Sequence, residues 1–415
     1  MAGEWPIRKL ADLCESVDYG YTASAKDAPC GPKFLRITDI VAGGINWDTV
    51  PYCEIDEPAR SRFRLHGGDV VIARTGATTG YSAYIADPPE AMFASYLVRL
   101  KISSEADSRF IAYLLKSPRF WDYIRGVLGD KSAQPNASAK TMTQVTLPFP
   151  PLKQQQAIAC ILGALDDKIE LNRRMNRTLE ATARAIFKSW FVDFDPVRAK
   201  AAGRRPPGLT PEMAALFPDA FEDSELGEIP KGWEVGSVQD LADVLSGKRP
   251  GERYPEASAE ARVPLWGGNG PMAFVPQPLI DHPILLTGRV GTLGSLFRIT
   301  SPCWPSDNTL VLRSKLAQAF EYLFLQLKRV DFSALNRGST QPLLTQTDLK
   351  AQRLFLPPST LLARFHTCIE SFYGQIDALD RECRTLAAIR DALLPKLISG
   401  ELRVGDVERF AGEVA

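Results

Sequence analysis

The residues best suited to chemistry lie in two short polar segments that repeat along the chain. One is Lys131-Ser132-Ala133-Gln134, and the other is Arg337-Gly338-Ser339-Thr340-Gln341. A glutamine amide can form two hydrogen bonds to adenine, and lysine or arginine can bind phosphate or guanine. An equally good interpretation is that both segments are structural loops before a proline pair. The candidate nucleic-acid contacts in these segments are Lys131, Gln134, Arg337 and Gln341.

Four arginines form a second set of candidates. Arg74 and Arg289 each follow an apolar run and precede a glycine by two residues. They can therefore project from the end of a strand, although an ion pair at the edge of the core is the alternative. Arg62 and Arg64 flank Phe63 in a basic run that offers charge and one aromatic ring. Such runs more often form an ordinary solvated face.

The motifs of catalytic sites are incomplete in this sequence. Residues 87–90 (Asp-Pro-Pro-Glu) resemble an element of amino-methyltransferases, but Glu90 replaces the aromatic ring that would hold the target base. Residues 246–249 lack the first glycine and the Ser/Thr of a phosphate-binding loop. No two of the seven cysteines lie three residues apart, and the three histidines do not pair at metal-ligand spacing. The sequence predicts a binding protein without a metal or a cofactor.

Composition indicates a globular protein of several domains. The chain has 415 residues, of which 45% are hydrophobic and 24% charged, and roughly 100–200 residues per domain gives two to four domains. Lys and Arg number 49, as do Asp and Glu, so any nucleic-acid contact must come from local basic patches. No apolar run approaches the ~20 residues that span a bilayer. We expect a cytoplasmic protein with no membrane partner.

The chain contains an internal repeat. Lys131 to Pro135 matches Gly338 to Pro342 at an offset of 207 residues, and the same offset relates Leu147 to Leu354. Weaker matches precede these. Trp5 and Asp12 match Trp233 and Asp240, the apolar run before Arg74 matches the run before Arg289, and Leu97-Val98 lines up with Leu310-Val311. The repeat predicts a mixed α and β unit followed by a long helix, twice over.

Both predicted long helices carry apolar residues at alternating steps of four and three, which is the pattern of a coiled-coil seam. Two related seams should pack on each other, and the long connector allows an antiparallel pair. The alternative is that each helix lies on its own globular unit. Asn172 and Asn176 are polar positions that can set the register, and a contact surface for a partner protein is the alternative interpretation of them. The predicted seam comprises Leu162, Leu165, Ile169, Asn172, Asn176, Leu179 and Ile186, followed by Ile369, Phe372, Ile376, Leu379, Leu386 and Leu393.

Four segments resemble the specificity subunits of type I restriction–modification systems. Residues 152–172 are similar to the central region of that family. The other resembling segments are residues 185–196 (AIFKSWFVDFDP), 221–233 (FEDSELGEIPKGW) and 393–402 (LLPKLISGEL). The resemblance covers essentially the whole chain.

This resemblance implies an α+β fold with two α/β target recognition domains, joined by two long antiparallel coiled-coil helices with pseudo-two-fold symmetry. Each recognition domain would read one half of a split, asymmetric duplex DNA target, and the helices would set the spacer. The implied partners are two modification (methyltransferase) subunits and ATP-dependent restriction subunits. The specificity subunit itself would catalyse nothing. The expected segments are 1–150 (recognition domain 1), 151–195 (first helix), 196–230 (connector), 231–357 (recognition domain 2), 358–403 (second helix) and 404–415 (tail).

Two other hypotheses remain open at this point. The chain could be a non-catalytic, two-headed coiled-coil scaffold that joins proteins. It could also be a fused methyltransferase–nuclease, which the incomplete catalytic motifs disfavour.

Overall fold

The computed structural model divides the chain into two compact units. Unit 1 consists of Met1–Arg174 and Leu379–Ala415, and unit 2 of Met175–Ala378. The residues described by the structure are 5–40, 44–128, 136–291, 293–338 and 341–406. Among them, no helix combines the length and the apolar character needed to cross a membrane.

The chain alternates short strands and helices with two helices of about forty residues. The strands are β1 (Ile7–Lys9), β2 (Cys14–Tyr19), β3 (Lys33–Leu35), β4 (Val70–Ala73), β5 (Ser82–Tyr84), β6 (Ala91–Phe93), β7 (Leu97–Ile102), β8 (Thr146–Pro148), β9 (Phe221–Ser224), β10 (Gly227–Pro230), β11 (Glu234–Ser237), β12 (Ala242–Ser246), β13 (Val263–Gly267), β14 (Gly270–Val275), β15 (Ile284–Gly288), β16 (Leu296–Ile299), β17 (Trp304–Pro305), β18 (Thr309–Ser314) and β19 (Arg353–Leu356). The helices are α1 (Ala59–Phe63), α2 (Ser108–Leu114), α3 (Pro118–Leu128), α4 (Ala139–Thr143), α5 (Leu152–Phe191), α6 (Asp195–Ala201), α7 (Pro211–Ala214), α8 (Val238–Leu241), α9 (Phe320–Leu327), α10 (Gln346–Lys350) and α11 (Ser359–Ser399).

Unit 1 is built on an antiparallel sheet of order β2-β7-β4-β5. All four residues of β4 are buried, as expected for a short apolar run bounded by glycines. Phe110 and Ile111 of α2 pack into the core beneath the sheet. Strand β1 pairs antiparallel with β8, so both ends of this sheet-containing part meet directly before α5.

Unit 2 repeats this connectivity with the sheet order β12-β18-β15-β16. Strand β11 pairs with β19 before the second long helix, as β1 pairs with β8 before the first. Unit 1 has a second, parallel pair of strands, β3-β6, and unit 2 has a three-stranded sheet of order β14-β13-β17, in which β13 and β17 are parallel and which contains Trp266. The α+β class and the two long helices are therefore confirmed.

The two long helices pack antiparallel within unit 1. Asn172 Nδ2 on α5 donates to Glu382 Oε2 on α11 at 2.9 Å, whereas the earlier Asp166 accepts from the later Arg390 at 2.6 Å. Arg390 interrupts the apolar pattern of α11, and Asp166 supplies its partner. Asn172 is completely buried, and its Oδ1 has no hydrogen-bond partner among the described residues.

Unit 2 contains the other half of each long helix. Phe187, Trp190 and Phe191 of α5 surround Phe365 of α11, with ring centroids 6.2, 5.8 and 4.9 Å from it. The aromatic end of α5 therefore docks on the second long helix. Of the predicted seam residues, the structure buries Leu162, Ile169, Asn172, Asn176, Ile369 and Ile376, and half-buries Leu165, Leu179, Ile186, Phe372, Leu379, Leu386 and Leu393.

Candidate nucleic-acid interface

One end of the main sheet in unit 1 carries exposed aromatic and polar side chains. Because the sheet is antiparallel, β2 and β4 end where β5 and β7 begin. Tyr19 is the last residue of β2, Arg74 follows β4, and Tyr81 and Tyr96 precede β5 and β7. The three tyrosines are 44%, 40% and 57% exposed. Together with Asn136, these residues are called rim 1 below.

Arg74 is held in a fixed position at the centre of rim 1. Its backbone N–H donates to Tyr96 O at 3.0 Å, and its carbonyl accepts from Ala137 at 2.9 Å. The guanidinium lies 4.7 Å from the Tyr19 ring centroid, and Nη2 donates to Asn136 Oδ1 at 3.2 Å. Nε is buried without a hydrogen-bond partner, and Nη1 makes no hydrogen bond to a described residue. Nη1 and one hydrogen of Nη2 therefore remain available to donate hydrogen bonds to a ligand.

The equivalent end of the sheet in unit 2 holds Arg289 by the same backbone contacts. Arg289 N–H donates to Asn308 O at 2.8 Å, and its carbonyl accepts from Leu344 at 2.9 Å. Gly291 N–H donates to Pro342 O at 3.0 Å, which places the neighbouring Gln341 beside the turn after Arg289. Rim 2 is defined as Ser246, Lys248, Arg289, Asn308 and Gln341.

A glycine stands at the same place in both rims. Gly20 follows β2 and Gly247 follows β12, and each donates its N–H across the sheet, to Leu97 O at 3.3 Å and to Thr309 O at 3.1 Å. A Cβ on either glycine would overlap backbone carbonyl oxygens, those of Phe93 and Ala94 in unit 1. Only glycine allows this close approach, so both rims have the same backbone framework.

The two rims differ in the side chains that this framework carries. Tyr19 is replaced by Ser246 and Tyr96 by Asn308, judged by equivalent hydrogen bonds. Rim 1 offers aromatic rings around its arginine, which suits stacking and apolar contact. Rim 2 offers the exposed Lys248, an asparagine and a glutamine. The two surfaces are therefore suited to different ligand sequences.

The other candidate residues are placed as follows. Arg337 forms a two-point ion pair with Asp348, at 2.8 and 3.1 Å, and its side chain is still 67% exposed. The hydrogen bond from Arg337 lowers the pKa of Asp348 below its ordinary value. Arg62 ends close to Phe63 in α1 and Arg64 follows that helix; both are exposed. Neither makes a hydrogen bond to rim 1. Lys131 and Gln134 lie outside the described residues.

The rims contain no arrangement that resembles a catalytic centre. Within the described ranges, no three His, Cys, Asp or Glu side chains gather as a metal site. Arginine, amide and tyrosine side chains can instead read base edges and bind phosphate. The arrangement is therefore suited to recognition of a nucleic acid.

Comparison with known proteins gives the family. Residues 2–181 and 230–360 match the family model for the type I restriction modification DNA specificity domain. The chain belongs to this family. It is 26% identical over 448 residues to the MjaIX type I specificity subunit of Methanocaldococcus jannaschii, which covers 97% of this chain and 95% of that protein. It is also 24% identical over 480 residues to the HindI specificity subunit of Haemophilus influenzae, covering 96% of this chain and 100% of the relative.

A solved structure agrees on the fold of this specificity-domain protein. The crystal structure of the type I S subunit from M. genitalium superposes with a TM-score of 0.57 at 18% identity, and covers 95% of this chain and 96% of that one. The family match and the two relatives confirm the resemblance to specificity subunits inferred from residues 152–172 and 185–196.

Seven residues of the two rims were not among the nucleic-acid candidates from the sequence: Tyr19, Tyr81, Tyr96, Asn136, Ser246, Lys248 and Asn308. All of them except Asn136 lie within two residues of the end or the beginning of a strand. The signal that could have found them is the pair of glycines Gly20 and Gly247, because a glycine directly after a strand often marks close backbone approach.

Proposed function

We propose that the chain is the DNA-specificity subunit of a type I restriction–modification complex, and that rims 1 and 2 each read one half of a split target. The observation that carries this proposal is the matched pair Arg74 and Arg289, held by the same backbone hydrogen bonds in two copies of one framework. An arginine presented end-on can donate two hydrogen bonds to guanine O6 and N7.

The two half-sites should differ in sequence. Rim 1 carries three tyrosines, of which Tyr19 lies against Arg74, whereas rim 2 carries Lys248, Asn308 and Gln341. Asparagine and glutamine suit adenine, and tyrosine suits apolar contact with thymine methyl groups or stacking. We therefore assign an asymmetric target to this chain.

The paired long helices would set the spacer and bind the modification subunits. Polar register contacts such as Asn172 with Glu382 fix one alignment of the two helices. Leu171 and Ile389, on the two helices in unit 1, are 52% and 44% exposed, which leaves apolar surface for a partner. In this proposal the partner subunits carry methylation and ATP-driven restriction, and the specificity chain is not catalytic.

Co-expression with a modification subunit, followed by methylome sequencing of the host DNA, tests this function. The expected result is a split motif with methylated adenine in each half and two different half-sites. Identical half-sites would contradict the asymmetry. A chain that forms no complex and yields no methylated motif would support a protein scaffold instead.

Matched insertions test the spacing role. Adding one heptad to both long helices should lengthen the spacer, whereas adding it to one helix should destroy binding because the seams no longer align. A spacer length that stays unchanged after the matched insertion would show that the helices do not set it.

A further inference from the structure

The sheet-containing part of unit 1, residues 5–149, is attached to α5 by polar contacts near the start of that helix. This part is called lobe 1. Gln155 of α5 is 1% exposed, and its Oε1 accepts from the backbone N–H of Asp107 at 2.9 Å. Its Nε2 donates to Pro150 O at 2.8 Å. The amide oxygen therefore binds the lobe, and the amide nitrogen binds the segment between the lobe and the helix.

A second attachment of lobe 1 lies further along α5. Arg109 donates to both carboxylate oxygens of Asp167, at 2.9 and 2.5 Å, and to Gly163 O at 2.9 Å. A Cβ on Gly163 would lie 2.6 Å from Arg109 Cζ, so the glycine leaves room for the guanidinium. Nearby, Tyr113 OH donates to Asp166 Oδ2 at 2.6 Å. The polar contacts at residues 155 and 167 are separated by about 18 Å along the helix at ~1.5 Å per residue.

The sheet-containing part of unit 2, residues 231–357, is attached to α11 in the same two-point manner with different residues. This part is called lobe 2. Arg298 of β16 donates to both oxygens of Asp377, at 3.2 and 3.0 Å, and its side chain is only 12% exposed. Thr300 OH donates to the same carboxylate at 3.0 Å. At the other point, Glu321 of α9 lies 2.8 Å from His366 Nδ1. Residues 366 and 377 are about 16 Å apart along α11.

Two attachments at this separation restrict orientation in addition to the apolar packing of Ile158 and Leu162 in the core of lobe 1. One attachment lets a lobe pivot about it, whereas two attachments some 16–18 Å apart fix the rotation. The Arg109–Asp167 pair is bidentate, with one nitrogen on each oxygen, and such pairs have a defined geometry, whereas Arg298 contacts both oxygens of Asp377 through Nη1 alone. One additional base pair shifts a half-site by ~3.4 Å and rotates it by about 35° around the duplex. A lobe must therefore be held well within that angle if the complex is to reject a spacer that is wrong by one base pair.

We propose that Arg109 and Arg298 are positioning residues that act through Asp167 and Asp377 to hold each lobe at one angle on its long helix, and thereby restrict the protein to one spacer length. This inference rests on the proposed function, because it assumes that the lobes read DNA and that the helices set the spacer. Neither residue touches the bases. Each arginine fixes the orientation of the lobe that contacts the bases.

The test is competition binding by the full chain in complex with its modification subunits. The probes are duplexes that carry the methylome-derived target with its native spacer or with one base pair added or removed. In Arg109→Met and Arg298→Met, the preference for the native spacer over the longer one should fall about threefold or more, equivalent to ~0.7 kcal/mol at 1.4 kcal/mol per tenfold. Arg109→Lys, which keeps the charge and loses the fork, should lie between wild type and Met.

Matched controls separate orientation from general stability. Arg8→Met removes the lobe 1 ion pair with Glu105 (3.2 Å), and Arg313→Met removes the lobe 2 pair with Asp243 (2.7 Å); neither pair involves a long helix. Both controls should keep the wild-type spacer preference. The proposal is overturned if the Arg109 and Arg298 variants also keep it, even when their overall affinity falls.

Two milder variants keep the proposal testable if the methionine variants do not fold. Tyr113→Phe and Thr300→Val each remove one hydrogen bond at an attachment point and preserve side-chain volume. Each should reduce the spacer preference about twofold, or ~0.4 kcal/mol, and an unchanged preference in the folded variants counts against the proposal. A wild-type complex without sequence-specific binding refutes the proposed function itself, whereas specific binding that ignores spacer length refutes the spacer role and this inference with it.

Discussion

Replacing Arg74 by alanine should relax sequence discrimination at one position of one half-site. Asn136 accepts a hydrogen bond from Nη2 of Arg74, and Nε is buried. Nη1 and the remaining hydrogen of Nη2 are therefore the donors that can reach a base. A good bidentate pair to guanine contributes about 1–3 kcal/mol of discrimination. We therefore expect a roughly 5- to 140-fold loss of preference at that position, with the other half-site read as before.

The assay is binding of the assembled complex to duplexes with each base substituted in turn, at two salt concentrations. Arg289→Ala should produce the complementary result in the other half-site. Arg8→Ala is the control, because its exposed ion pair with Glu105 lies beyond the end of β7 opposite to rim 1. A uniform loss over all sequences, with a salt dependence reduced by about one phosphate contact, would show that Arg74 binds the backbone and would refute base reading.

Three further predictions concern the framework. Gly20→Ala should destabilise unit 1 by about 1–3 kcal/mol in urea unfolding, because the new methyl group meets two backbone carbonyls. Leu162→Ala should lower the free energy of unfolding by about 2–5 kcal/mol, since Leu162 is completely buried. Burial opposes the ionisation of Asp166, but hydrogen bonds from Tyr113 and Arg390 hold the pKa of Asp166 below its ordinary value. Its carboxylate therefore stabilises the fold fully above about pH 4 and loses this effect as the pH falls through the lowered pKa, so the stability difference between wild type and Asp166→Asn should shrink as the pH falls below about 4.

Each of these predictions has a control or a contrary outcome. Gly126→Ala places its methyl group in open space on α3 and should be neutral or slightly stabilising. Leu171→Ala removes a half-exposed side chain of α5 and should change stability far less than Leu162→Ala. For Asp166, a stability difference that is independent of pH in that range would show that the carboxylate has no lowered pKa.

The α+β architecture and the long helices could be predicted from the sequence because their signals are periodic or repeated. The spacing from Ile158 to Trp190 is set by local helix geometry, and the matched segments around Gln134 and Gln341 need no structural knowledge. Periodicity also shows which face of each helix is apolar. Periodicity does not predict the ion pair between Arg390 and Asp166 across the two helices, because that contact joins residues more than two hundred positions apart.

The rims could be predicted only in part, because long-range strand register decides them. Leu97 lines up with Leu310 by residue type, but Leu97 pairs with Ala73 and Thr309 pairs with Gly288. Thr309 is thus the equivalent of Leu97, and the side-chain match was wrong by one residue. Alternate residues of a strand face opposite sides of the sheet. The match by residue type would place Thr309 at the position of Tyr96, whereas the observed register places Asn308 there.

The discontinuity of unit 1 has a consequence for how the protein folds as it leaves the ribosome. Leu397 and Ile398 of α11 are 0% and 4% exposed, and they complete a core whose other members lie before residue 163. These two residues are synthesised after the whole of unit 2. More than two hundred residues separate the last early residue of this core from the two late ones. At a synthesis rate of about 5–20 residues per second, the core therefore lacks these two residues for at least about ten seconds. During that interval its apolar surface is open to chaperones, and a ribosome that stalls between Leu379 and Leu397 should release a chain in which unit 2 is complete and unit 1 is susceptible to proteases.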